Sequence, residues 1–111
     1  MDKRTIIFKK AKGRCSHCGK EIKKGTFTID HFIPKSYFGT YCIQNLFPLC
    51  RKCNEDRGNQ IVNAREFYSY AEPSFIYEAE QYFLNWKQNY TNCYFSFLDE
   101  EKSVIWIIKK I

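Results

Sequence analysis

No run of about 18 consecutive apolar residues interrupts this chain, so nothing in its 111 residues reads as a membrane-spanning helix. The N-terminal MDKRTIIFKKAKGRC offers only the apolar trio Ile6, Ile7 and Phe8, too little for the core of a signal peptide, and a cytoplasmic location is expected. Internal repeats, low-complexity tracts and linkers are missing, and no segment carries the pattern of a separate DNA-reading helix. Histidine is scarce. The two present, His17 and His31, are the only side chains whose unperturbed titration falls near neutral pH, which confines such acid–base chemistry to two places.

What the chain does have is apolar and aromatic mass, 44% and 18% of its residues, enough for a single domain with a modest core that a bound metal would reinforce. Its formal charge of +6 is uneven. Residues 1–60 hold thirteen Lys/Arg against five Asp/Glu, and residues 61–111 hold five against seven. A basic half joined to a slightly acidic one fits a polyanion on one face, or simply a solvated lysine-rich surface.

Residues 3–12 (KRTIIFKKAK), ending at Gly13, predict a short basic helix stopped by glycine. Residues 21–31 (EIKKGTFTIDH) predict a hairpin, with a turn at Lys24-Gly25 and Phe27 and Ile29 alternating with polar positions; Asp30 and His31 end its second strand. Pro34, Gly39 and the lack of a steady period predict a loop from Phe32 to Gln44. The polar run after Cys53 fits a helix of about two turns. Residues 63–71 read as helix until Pro73, and residues 74–90 as a longer amphipathic helix burying Phe75, Tyr82, Phe83 and Trp86. Residues 92–98 and 103–109 flank an acidic turn and predict a C-terminal hairpin.

Two C-x-x-C pairs, Cys15/Cys18 and Cys50/Cys53, each place two sulfurs on one side of a tight turn, and Gly19 can supply a left-handed residue there. In the expected compartment such pairs are metal ligands or redox dithiols rather than structural disulfides. The surrounding elements do not suggest a redox fold, and one tetrahedral Zn²⁺ held by all four thiolates is the reading adopted. The 31 residues between the pairs form an insertion that contains Asp30, His31 and Asn45. His17 would strain both neighbouring cysteines if it ligated and is left out. Cys42 and Cys93 have no C-x-x-C partner and are read as small apolar residues.

Asp30-His31 leads into Phe32-Ile33-Pro34, then Asn45-Leu46, then Leu49-Cys50-Arg51-Lys52-Cys53-Asn54 and Arg57-Gly58. The order C-x-x-C, D-H-x-x-P, N-L, L-C-x-x-C-N and a basic residue three positions on resembles the HNH endonuclease family, the ββα-metal nucleases, over residues 13–59. That resemblance implies an α+β fold with a ββα-metal HNH core. It further implies hydrolysis of DNA phosphodiester bonds to 5′-phosphate and 3′-hydroxyl ends, with Asn45 orienting the His31 imidazole.

The residues carry the same chemistry on their own terms. Phosphodiester hydrolysis needs an activated water and a cation against the phosphate and leaving oxygen. His31 is expected as general base, and Asp30 with an amide oxygen of Asn54 as ligands for Mg²⁺ or Mn²⁺. Neighbours on a regular strand face opposite sides, so the strand end must re-aim Asp30 or His31. Asn54 stands where the named motif has a second histidine, a substitution that also resembles a recognised variant of the family. Arg57, one turn later, is expected to hold the scissile phosphate.

Residues 1–60 are thus expected to form the nuclease core with its zinc site, and residues 61–111 an aromatic-rich extension packed on it, one domain in all. DNA is the expected substrate, with RNA left open, no membrane contact, and a monomer favoured over a homodimer. One site per chain favours nicking. The rival reading is a catalytically silent zinc module that binds nucleic acid or a protein partner.

Overall fold

A computed structural model describes residues 2–94. Helix α1 (Lys3–Lys9) starts where the Asp2 carboxylate accepts the Thr5 N–H, a side-chain cap on an otherwise orphan donor. Lys12 and Gly13 follow with positive φ, 54° and 81°, and turn the chain into the first cysteine knuckle. The expected helix therefore ends a turn early.

The predicted hairpin is not what forms. The turn at residues 23–27 exists, but strand β1 (Thr28–His31) pairs antiparallel with β2 (Leu46–Leu49), in the register Thr28↔Leu49, Ile29↔Pro48, Asp30↔Phe47, His31↔Leu46. Glu21 instead bridges to Arg14 across the knuckle. The physical reason is burial: all four residues of β2 are buried, so the distant apolar segment offers β1 far more than the Ile22-Lys23-Lys24 segment can. Pro48 is tolerated because the sheet has only two strands, and its carbonyl accepts from Ser16, docking the knuckle onto β2.

The connection from Phe32 to Gln44 is irregular apart from short 3₁₀ turns at Lys35–Tyr37 and Ile43–Asn45. Helix α2 (Arg51–Arg57) begins inside the second knuckle, with the Cys50 sulfur accepting the Cys53 N–H, and stops at Gly58. Helix α3 (Ala64–Phe67) is shorter than the expected 63–71. The Tyr70 and Glu72 N–H groups bond the carbonyls of Ser16 and Lys10, so this stretch spends its backbone on distant partners rather than on a helix.

Helix α4 (Pro73–Tyr94) opens with proline, whose missing N–H costs nothing there. Trp86 is buried and Phe75, Tyr82 and Phe83 are half-buried against the core, so the expected stripe faces inward, with Ile76 and Ala79 buried beside it. Because α4 runs to Tyr94, residues 92–94 are helical rather than strand; the rest of the predicted terminal hairpin lies outside the described residues. Among the described residues no helix is long and apolar enough to cross a membrane.

The result is an α+β fold, a two-stranded sheet packed by three short helices and the long α4 among the described residues. Its core stacks Phe47 of β2 flat on Tyr68, ring centres 4.0 Å apart, with Phe32 meeting Tyr68 edge-on. Lys10 is fully buried beside this core; its Nζ donates to the carbonyls of Ile43 and Leu46 and lies 4.5 Å from the Phe47 ring centre.

Candidate active site and metal centre

The two knuckles arrive at one point. The sulfurs of Cys15, Cys18, Cys50 and Cys53 all lie within 4.8 Å of one another, with Cys18 and Cys50 3.9 Å apart. Tetrahedral zinc with bonds of about 2.3 Å requires sulfur separations of about 3.8 Å, so the donor set and its spacing fit Zn²⁺. Burial and the neighbouring sulfurs push the Cys53 thiol far above its usual range, a penalty that a bound cation removes. His17 stays out of the cluster: its ring stacks on Phe67 at 4.1 Å and Nδ1–H donates to the Phe67 carbonyl. Cys42 is exposed and not the apolar packing residue expected, while Cys93 lies outside the residues whose side chains are described.

On the other side of α2, a pocket of about 190 Å³ is lined by Ile29, Asp30, His31, Pro34, Lys35, Ser36, Asn54, Gly58 and Asn59. Three of the expected site residues, Asp30, His31 and Asn54, therefore meet. His31 closes β1, and the chain leaves the sheet after it, so both it and Asp30 reach the same pocket.

Asp30 is 5% exposed and tightly held. Its Oδ2 accepts from Arg57 Nη1 at 2.5 Å and from the Tyr68 hydroxyl at 2.6 Å, and neither bond uses Oδ1. Burial pushes the carboxyl above its usual range, while the Arg57 charge and the Tyr68 hydrogen bond pull it back. His31 is half-buried, and its Nε2 is buried without a hydrogen-bond partner. Burial first, and then the charge of Lys35, push the imidazole below its usual range and favour the neutral form. Tyr41 stands edge-on to it, ring centres 4.7 Å apart.

The orientation of Asn54 follows from its neighbour. The Thr28 hydroxyl donates to the Leu49 carbonyl at 2.8 Å, so toward Asn54 it can only accept, and Asn54 Nδ2 donates to it at 2.9 Å. The amide oxygen is thereby turned away from Thr28 and left free for a cation. Thr28 had no signal in the sequence beyond its place two residues before Asp30.

Two expected roles need correcting. Asn45 does not orient His31: fully buried, it accepts from the Ile33 N–H and donates to the carbonyls of Ile33 and Thr40. It pins the irregular loop instead. Arg57 does not face a phosphate; its side chain is 1% exposed. Its two terminal nitrogens serve Asp30, the Tyr68 hydroxyl and the carbonyls of His31, Phe32 and Gln60. Lys35, Ser36 and Tyr68 are the site neighbours that sequence reasoning passed over. For Lys35 a signal existed, since it directly follows D-H-F-I-P.

Residues 15–67, slightly under half of the chain, match the family model described as HNH endonuclease. A curated relative, the CRISPR-associated endonuclease Cas9 of Corynebacterium diphtheriae, is 34% identical over 47 residues, which are 41% of this chain and 4% of that protein. The chain thus spans a small fraction of the length of the relative it matches. No solved structure matches it. Paired cysteine knuckles on a ββα core define a metal-binding module, and over residues 15–67 that module is similar to the HNH endonuclease family.

Proposed function

We propose that this site hydrolyses DNA phosphodiester bonds in a metal-dependent reaction, one strand at a time. The observation that carries the reading is that one pocket is lined by Asp30, His31 and Asn54 together. Asp30, through Oδ1, and Asn54, through its amide oxygen, are the oxygen donors suited to Mg²⁺ or Mn²⁺. Such a cation supplies charge neutralisation at the phosphate and the leaving oxygen. His31 takes a proton from the attacking water, and Tyr41, rather than Asn45, flanks its ring. Arg57 and Tyr68 fix the Asp30 carboxylate from behind, as a second layer of hydrogen bonds does around metal ligands. Four thiolates on Zn²⁺ hold the two knuckles and keep α2 against β1.

A second reading, a catalytically silent module that binds nucleic acid or protein, draws on one observation: both donors to Asp30 tie up one of its two oxygens. Supercoiled plasmid separates the two readings. Zinc-loaded protein with Mg²⁺ or Mn²⁺ is expected to produce nicked circles, and His31→Ala to reduce the rate by about 10²-fold or more while DNA affinity and melting temperature hold. A folded His31→Ala protein that nicks as fast as the parent sinks the mechanism. A single-stranded RNA substrate in the same assay decides whether RNA is also cut.

A further inference from the structure

With Arg57 spent inside the core, the cation that phosphate chemistry calls for must come from another residue of the pocket. Among the described residues lining it, Lys35 is the one lysine or arginine, and its side chain is exposed and free of ion pairs with the described residues. It is not loose. Its Nζ lies 4.6 Å from the centre of the Tyr41 ring, and that ring stands edge-on to His31. Tyr41 is tethered in turn, its carbonyl accepting from Lys3 Nζ of α1. An ammonium resting on a ring beside the imidazole is concentrated at the pocket mouth instead of sweeping solvent. Lys35 also opens the 3₁₀ turn directly after Pro34, a residue of fixed φ, so its backbone is set relative to His31.

We propose that Lys35 is the phosphate-binding cation of this site, its Nζ contacting a non-bridging oxygen of the scissile phosphodiester while Tyr41 positions it. Attack at phosphorus concentrates negative charge on those oxygens, so a fixed cation there favours the transition state over the bound substrate. Ser36 and Asn59 line the same pocket and can add neutral donors. This inference rests on the nuclease reading above.

The test uses the zinc-loaded full chain and its Lys35→Ala, Lys35→Arg, Tyr41→Ala and Tyr41→Phe variants, with Arg51→Ala as an exposed-cation control. Two quantities are read: plasmid nicking with Mg²⁺, and affinity for a short DNA duplex across a salt series without Mg²⁺. Lys35→Ala should cut at least about 10-fold more slowly, and its salt dependence should flatten by about one in log–log slope. Lys35→Arg should restore most of both. Tyr41→Ala should lower turnover more than apparent affinity and Tyr41→Phe should recover it, whereas Arg51→Ala should nick at the parent rate. Lys35→Ala protein with parental rate and slope overturns the proposal; so does a flattened slope with unchanged nicking, which places the contact on another phosphate. If the parent binds DNA and does not cut, the nuclease reading fails while the salt slope still decides whether Lys35 meets a phosphate. A parent that neither binds nor cuts overturns both.

Discussion

A buried guanidinium must find acceptors for most of its N–H groups, and Arg57 does so around Asp30, Tyr68 and three carbonyls. Removing it leaves the buried Asp30 charge without its ion-pair partner and with only the Tyr68 hydroxyl as a donor. Arg57→Ala is therefore expected to cost about 3–5 kcal/mol, and Arg57→Lys to recover little, because an ammonium cannot reproduce the forked geometry. Urea denaturation checks this, and unchanged stability with weakened DNA binding would restore the surface role that the sequence suggests. Asn54 and Arg57 do share a helix face, as their spacing predicts, but that face meets β1 and not solvent. The pattern marked both positions as special. It could not say that one side chain borders a pocket while the other is sealed beneath it, because that depends on the distant β2 and Tyr68. Lys10 was invisible for the same reason, reading as one more cation of a basic helix. Burial lowers it from 10.5 to about 8. Between those values the unfolded chain holds a proton that the folded chain gives up, so the contribution of Lys10 to stability rises with pH across that window. The rise is at most about 3 kcal/mol, and the two carbonyls and the ring face that hold the ammonium reduce it. Denaturation of the parent at pH 8 and pH 10, referenced to Lys10→Met, should show this alkaline gain, and identical pH profiles would contradict it.

Elements were legible where their signals are local. The glycine stop after α1, the turn near Gly25 and the proline start of α4 are encoded in a few consecutive residues. Strand pairing was not, since β1 chooses its partner by burial across the fourteen intervening residues 32–45, which include Gly39 and the two 3₁₀ turns. That loop is held by backbone groups. A Cβ on Gly39 would sit 1.6 Å from the Ile33 carbonyl oxygen, so no side chain fits unless the loop moves. Asn45 closes the same loop through three hydrogen bonds. Asn45→Ala strands the Ile33 N–H and carbonyl in the interior and is expected to destabilise the fold by about 2–4 kcal/mol. The sequence reading anticipates a mild loss of rate in a stable protein; thermal melting alongside nicking distinguishes the two. A variant as stable as the parent would return Asn45 to the role of orienting His31.

For the whole molecule, the cysteine pairs were the most legible feature, because metal geometry constrains spacing directly and hardly depends on the rest of the fold. The four-cysteine cluster joins segments 31 residues apart and brings the knuckles, β2 and α2 into one unit with β1 between them. A chain this small has modest apolar area to bury, and the binding free energy of a structural zinc, about 10–16 kcal/mol, matches or exceeds the whole net stability of a typical domain. Stripping zinc is therefore expected to abolish cooperative melting rather than merely lower the transition. Cys50→Ser, which removes one ligand from the cluster and the cap of α2 together, should behave the same way. Cys42→Ser, at an exposed position outside the cluster, should change stability by no more than about 0.5 kcal/mol. Because oxygen-held Mg²⁺ is bound far more weakly than thiolate-held Zn²⁺, low EDTA should stop nicking while the melt persists, and only stronger chelation should unfold the chain. Elemental analysis beside each melt supplies the check: about one zinc per folded chain is expected. A metal-free protein that keeps its parental transition would remove zinc from the account of this fold.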